Sequence, residues 1–562
     1  MMPTSPSNTC PRCGHDLEEA TKQELTYCSN PGANVLANDI PTLRIQQEDV
    51  PRMEAEVERL STLIRSLNQE RAYLLRKINN VRATTRRLPP EILSIIFQLI
   101  RPPIDFSSRQ ALTEMPDDIA HQRDTYDEDE DLQLDLGAVC YQWRQYVWST
   151  PQLWTSISIE IYDCVAENNA AILGLYFQNA RSLPMSIELD MRAQLYKLRD
   201  AEDAEKRSKV FSQLESIRRT IFVKHAPRIQ KLFLLGLPLE WSTCVGPNLS
   251  SCQDIALAWP ISYTQEAEYD LTGLSQLPSL RRIAFSHLST PMPAISSSVT
   301  TITVQKVTIA QCFVLLTTCP NLLEFKLSSR PMSNFSEIPT GHGERIILPH
   351  LKKLHWCIRA EPWSIAFLLC VRFSQLRSLQ LTGTFSDPDE EERDALISFL
   401  LELPPTLQSV QLNELDIFGQ RITIDIITNL PLNVTSLCFT HCDVSAIQDT
   451  LRMIGRPSDA DDPKVLTSLH TLKISGTNSG GLTYKSVFKL LEAFYTATKD
   501  WRQAPFKLVV CSPGCPTELD EKSKKKFREL VDSGFELEVV WEPEPRMGWW
   551  SSFEDEVDNT VH

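Results

Sequence analysis

The chain is short of positive charge: 56 Lys and Arg stand against 72 Asp and Glu, a formal net charge of −16 over 562 residues. A nucleic-acid surface needs a basic stripe that displaces counterions, so no nucleic-acid partner is expected. Long apolar runs are missing as well. Ile365–Val371 (IAFLLCV) is among the longest, far below the roughly 20 residues of a membrane span, and no membrane partner is expected. The opening MMPTSPSNTCPRCG lacks the apolar stretch of a signal peptide. Fifteen cysteines in a chain without such a signal are expected as reduced, buried thiols, which places the protein in the cytoplasm, the nucleus or both. The sequons at Asn248, Asn334 and Asn433 are then chance matches. No P-loop, GxGxxG, GxSxG or HExxH occurs. No cofactor is expected, and the chain is not expected to be an enzyme.

What remains of possible chemistry is thin. Cys10-Pro-Arg-Cys13-Gly-His15, with Cys28 further on, forms half a zinc knuckle, but Pro31 stands where the last cysteine belongs. Residues 1–47 are read as a disordered tail without a metal; Cys10, Cys13, His15 and Cys28 are the candidate ligands if one binds. Cys438-Phe-Thr-His441-Cys442 offers a thiol and an imidazole close together, and packed cysteines explain it better. Lys522–Lys526 (KSKKK) reads as a nuclear address or, with Glu518, Asp520, Glu521 and Glu529 around it, as an exposed amphipathic helix.

Hydrophobic periodicity carries the positive information. Met53, Val57, Leu60, Ile64, Leu67, Arg71, Leu74, Ile78 and Val81 follow alternating steps of four and three, so residues 48–84 are expected as one long heptad helix. Its seam serves either self-association through residues 53–81 or packing on the adjoining domain. Next comes LPPEILSIIFQLI (Leu88–Ile100). Pro89 and Pro90 suit a first helical turn, and Glu91 suits its positive end. Leu88, Ile92, Ile96 and Leu99 form one stripe; Leu93, Phe97 and Ile100 form another. One stripe docks a helix on its own core, and a second asks for a partner. An acidic insert, residues 104–135, separates this helix from LGAVCYQWRQYVWSTPQLW (Leu136–Trp154); a solvated loop is expected there.

The ordered phrases Leu-Pro-x-Glu-Ile-Leu-x-x-Ile-Phe, Leu-x-x-Val-Cys-x-x-Trp-Arg and Ser-Thr-Pro-x-Leu-Trp resemble an F-box, of the type abundant in mushroom-forming fungi. The resemblance covers roughly residues 45–160. It implies that the chain binds the adaptor subunit of a cullin–RING ubiquitin ligase through Leu88, Pro89, Glu91, Ile92, Leu93, Ile96, Phe97, Val139, Cys140, Trp143 and Arg144. The long insert departs from a compact box.

From residue 225 the phrase apolar-x-x-apolar-x-apolar recurs ten times, from Ile229/Leu232/Leu234 to Leu469/Leu472/Ile474, with starts 19 to 35 residues apart. Several phrases open with Pro-x-Leu, and helix-like stretches such as Pro388–Leu403 lie between them. This resembles an irregular leucine-rich repeat solenoid, without the usual asparagine ladder. A doubly wound α/β domain is the competing architecture. The expected fold is therefore α/β: a coiled-coil-like helix and a small all-α F-box (85–156), a helical connector (157–224), strand–helix repeats (225–542) and an acidic flexible tail (543–562). Residues between the apolar positions are expected on a concave face that holds an unknown target protein, with Lys231, Arg282, Lys326, Lys353 and His355 meeting acidic or phosphorylated groups. The expected function is substrate recognition for an SCF-type ubiquitin ligase. The alternative is a non-ligase interaction scaffold built on the heptad helix and the repeats.

Overall fold

The structure is a computed structural model. It describes residues 50–82, 88–100, 104, 132–161, 166–192, 214–246, 248–259, 270–287, 294–327, 345–358, 367–383, 390–414, 420–442, 447, 450, 466, 468–475, 506–513, 525, 528–529, 532 and 535–542. The chain divides into two units, Met1–Thr84 and Thr85–His562.

In the first unit, α1 (Val50–Arg82) is one uninterrupted helix of 33 residues. Met53, Val57, Leu60, Ile64, Leu67, Leu74 and Ile78, all seam residues, are exposed. Cys10, Cys13, His15 and Cys28 lie outside the described residues.

The second unit begins with α2 (Pro90–Ile100), which starts on proline and carries Glu91 in its first turn. After the insert come α3 (Leu132–Val139), α4 (Tyr141–Ser149) and a 3₁₀ turn, Pro151–Trp154. The insert was expected to extend to Asp135, but α3 already begins at Leu132. Gln133 and Leu136 are buried. The Gln133 amide donates to the Leu153 carbonyl at 2.9 Å and its Oε1 accepts from the Tyr176 hydroxyl at 2.7 Å. A polar side chain satisfied at both ends can sit in a core, which acidic composition alone does not reveal. Ile104, at the other end of the insert, is buried against Phe233. Residues 105–131 lie outside the described ones.

Sixteen strands follow among the described residues. They are β1 (Ser156–Glu160), β2 (Met185–Asp190), β3 (Ile229–Leu235), β4 (Asp254–Ala258), β5 (Arg282–Ser286), β6 (Thr301–Gln305), β7 (Glu324–Leu327) and β8 (Ile346–Leu348). Then come β9 (Lys353–Cys357), β10 (Val371–Phe373), β11 (Ser378–Thr382), β12 (Ser409–Asn413), β13 (Ser436–Thr440), β14 (Thr471–Ser475), β15 (Phe506–Pro513) and β16 (Phe535–Glu542). All but β8 and β10 form one 14-stranded sheet whose spatial order is the chain order. Every neighbouring pair is parallel. A doubly wound domain reverses its strand order at a switch point; unbroken chain order is the topology of a solenoid. β8 and β10 pair in parallel as a separate two-stranded sheet.

Each of the ten apolar phrases supplies one strand, β3 to β7, β9 and β11 to β14. Its second and third apolar positions point inward, as Leu379 and Leu381 do at 0% exposure. Helices cover that face: α5 (Ala166–Asn179), α6 (Ile309–Thr318), α7 (Glu390–Leu401) and α8 (Gln420–Asn429). α6 is fixed at its start by a capping box between Thr308 and Gln311. One hydrophobic core runs from Leu93 to Ile474.

The connector 157–224, expected to be helical, instead contributes the first two strands, with α5 between them. Trp154/Ile157/Ile159 already fits the repeat formula, so the closing phrase of the helical box is also the opening of the first repeat. Backbone pairing recurs at the start of successive strands. The Arg377 and Ser378 amides both donate to the Lys352 carbonyl, at 2.8 and 3.0 Å. The Gln408 and Ser409 amides treat Arg377 the same way, and the Thr435 and Ser436 amides treat Gln408 the same way. No helix among the described residues is long and apolar enough to cross a membrane.

Candidate functional site

α2 has two apolar stripes, and the fold uses one. Leu93 and Phe97 point inward at 1% and 0% exposure. Phe97 packs on Trp143 of α4 with ring centroids 4.8 Å apart. The Ser94 and Thr150 hydroxyls, 3.0 Å apart, pin the same side. The opposite side lies open: Ile92 is 43%, Ile95 52%, Ile96 37%, Leu99 77% and Ile100 48% exposed. Full burial of each such side chain stabilises by about 1.5–3 kcal/mol, which these residues forgo in the isolated chain. Val139, Tyr141 and Trp148, at the ends of α3 and α4, are exposed too.

The other residues expected as contacts around α2 support this helix. Leu88 is half-buried on the core. The Pro89 carbonyl accepts from the Leu93 amide at 3.1 Å. The Cys140 thiol caps α4 by accepting from the Trp143 amide, and Arg144 Nε donates to the Gly137 carbonyl at 2.8 Å. Two corrections follow. Leu93 and Phe97, expected as contacts, are enclosed by the chain itself and hold α2 in place. Ile95, Ile100, Tyr141 and Trp148 were not expected and belong to the open surface. Periodicity finds two stripes but does not say which one the rest of the fold covers.

A second candidate surface is the sheet face opposite the core. Its residues stand in register rows. Lys231, Asp254 and Arg282 are aligned on β3, β4 and β5, and Glu324 and Lys353 on β7 and β9. Arg282 grips the Asp254 carboxylate with both Nε and an Nη, at 2.7 and 2.5 Å, and Lys231 Nζ lies 4.0 Å from it. Lys353 Nζ lies 3.5 Å from Glu324. Three of the five expected cations therefore already meet carboxylates of this chain. The alternation Lys231, Asp254, Arg282 is legible once consecutive phrases are laid in register.

His355 departs further from expectation. Burial, with Lys326 adding to it, pushes its imidazole down to about 3. It is neutral near pH 7 and offers no positive charge to an acidic target. Burial also lowers Lys326. His355 Nε2 instead bonds the Thr382 hydroxyl at 2.8 Å, which accepts from Asn413 at 3.2 Å; Gln411 Nε2 reaches both Asn413 Oδ1 at 2.9 Å and Thr440 Oγ1 at 3.3 Å. This side-chain chain crosses β9 to β13.

No family model matches the chain, and no curated protein matches it.

The cysteine cluster is packed. Burial raises the Cys438 thiol, which lies 3.6 Å from Thr440 Oγ1, and the buried Cys442 thiol donates to the Leu412 carbonyl at 3.2 Å. A raised thiol such as Cys438 is the opposite of an activated nucleophile. Among the described residues no group of three or more His, Cys, Asp or Glu is placed to hold a metal ion.

Proposed function

We propose that this chain is the substrate-recognition subunit of an SCF-type cullin–RING ubiquitin ligase. The observation that carries the reading is the open side of α2: five apolar side chains left exposed on an 11-residue helix that is anchored by the buried Leu93 and Phe97. An unmatched apolar surface of this kind marks a protein contact, and the F-box resemblance of the same residues gives the contact an identity, the ligase adaptor. Ile92, Ile95, Ile96, Leu99 and Ile100 form its centre, with Pro89, Glu91, Val139, Tyr141 and Trp148 around it. The open face of the repeats holds the target, with Lys231, Arg282, Lys326, Lys353, His355 and the polar chain from His355 to Thr440 as its contact row. Transfer chemistry belongs to the assembled ligase; this chain supplies proximity.

Affinity capture of the full chain from native lysate tests the reading. Adaptor and cullin are expected with the unaltered protein and lost with an Ile92→Gln/Ile96→Gln/Leu99→Gln variant, while target proteins are retained. Leu93→Asp or Phe97→Asp is unsuitable as the control, because each puts a charge inside the core. A capture that holds neither adaptor nor cullin rejects the ligase and leaves the scaffold.

A further inference from the structure

α1 has an apolar seam that no other described residue of its own unit covers. With Val57, Ile64, Arg71 and Ile78 at the first heptad position, Met53, Leu60, Leu67, Leu74 and Val81 fall at the fourth. Val57 is 62%, Ile64 59% and Leu67 54% exposed. In proteins, packing of the apolar side supplies most of a helix's stability. At 33 residues α1 is about 50 Å long.

We propose that two copies of this chain associate through α1 as a parallel, two-stranded coiled coil. Three features select that occupant. β-branched residues at the first position with leucine at the fourth is the combination that favours two parallel strands; here the first position holds Val57, Ile64 and Ile78, and the fourth Leu60, Leu67 and Leu74. One polar residue at a first position, Arg71, fixes register and strand number at a cost in stability. The third feature is charge complementarity. Glu70 precedes Arg71, and among the described residues neither has an ion-pair partner. In a parallel pair each Arg71 lies beside the other copy's Glu70, twice by symmetry. An antiparallel pair sets first positions against fourth positions, which places Arg71 against Leu60 or Leu67. The long arginine stem covers the seam while its guanidinium reaches the flanking carboxylate. This assembly does not rest on the ligase reading, and capture of adaptor and cullin is a separate measurement.

Sedimentation of the purified full chain at micromolar concentration is expected to show a dimer. Ile64→Asp/Leu67→Asp is expected to weaken association on the order of a hundredfold or more, with the thermal unfolding of the second unit unchanged. Arg71→Glu alone is expected to weaken it, and Glu70→Arg/Arg71→Glu to restore it. Mild oxidation of Leu74→Cys is expected to give a bond between position 74 of both copies, located by mass spectrometry. A monomer, a dimer indifferent to Ile64→Asp/Leu67→Asp, a double swap no better than Arg71→Glu alone, or the absence of the symmetric 74–74 link would each overturn the proposal.

Discussion

The tightest constraints on single residues sit where strands end. The residue after the strand has positive φ at Gly236, His287, Lys306, Gly383, Glu414 and His441. Gly383, at φ 152, has the least room for an L side chain: a Cβ there would fall 1.8 Å from the Ile358 carbonyl oxygen, against 2.8 Å from the Arg192 amide nitrogen at Gly236. Gly383→Ala is expected to destabilise by on the order of 3 kcal/mol or more, since backbone must move; a thermal melt near that of the unaltered chain would refute the constraint. His287, in the equivalent place after β5, is buried, and burial aided by Lys306 pushes its imidazole from 6.5 down to about 4. The unfolded chain takes up a proton near pH 6.5 and the folded chain does not. The stability this neutral imidazole contributes is therefore complete above pH 6.5 and is lost as pH falls toward about 4. The loss for His287 is on the order of 2–3 kcal/mol. His287→Asn tolerates the positive φ and removes the titration, so its stability should fall less steeply over that interval in urea unfolding. Equal slopes would show that His287 titrates normally in the fold.

At the scale of elements, α2 shows how far a sequence speaks. Its two stripes and its proline start were plain in the residue spacing. Which stripe faces inward depends on Trp143 and Thr150, residues more than 40 positions away, and no local pattern contains that. The prediction is correspondingly two-sided. Leu93→Ala should cost about 2–5 kcal/mol, as for other enclosed leucines. Ile92→Gln/Leu99→Gln should stay within about 0.5 kcal/mol per site, as surface changes do. Unfolding midpoints of the two variants decide it, and a comparable loss in both would mean that the outer stripe is covered too. The strands were legible for a different reason: alternation has a period of two, and each phrase carries its own register. β1 and β2 escaped because the repeat was taken to begin at residue 225, and Trp154/Ile157/Ile159 was read as the end of the helical segment before it. The ion pairs of Asp254 became visible only with the register, which sets residues 28 apart side by side.

For the whole molecule the decisive property is strand order. Each strand of the large sheet pairs with its chain neighbours, so no described strand is held by a distant one. Stability in such an array is nearly a sum of repeat and nearest-neighbour contributions, unlike a domain closed by long-range pairing. Leu437, fully buried in β13 and in register with Val410 and Leu472, is a point at which to test this. Leu437→Ala should remove about 2–5 kcal/mol, and the loss should be local. Amide hydrogen exchange is expected to quicken across β12, β13 and β14 while β3 to β6 keep the protection they have in the unaltered chain. Uniform loss of protection from β3 to β14 would mean that the sheet opens as one cooperative block. The polar row on the open sheet face would then feel any distant core substitution. Local opening instead lets one end of the face loosen while α2 and the first repeats, which share the core around Trp154 and Tyr176, keep their packing.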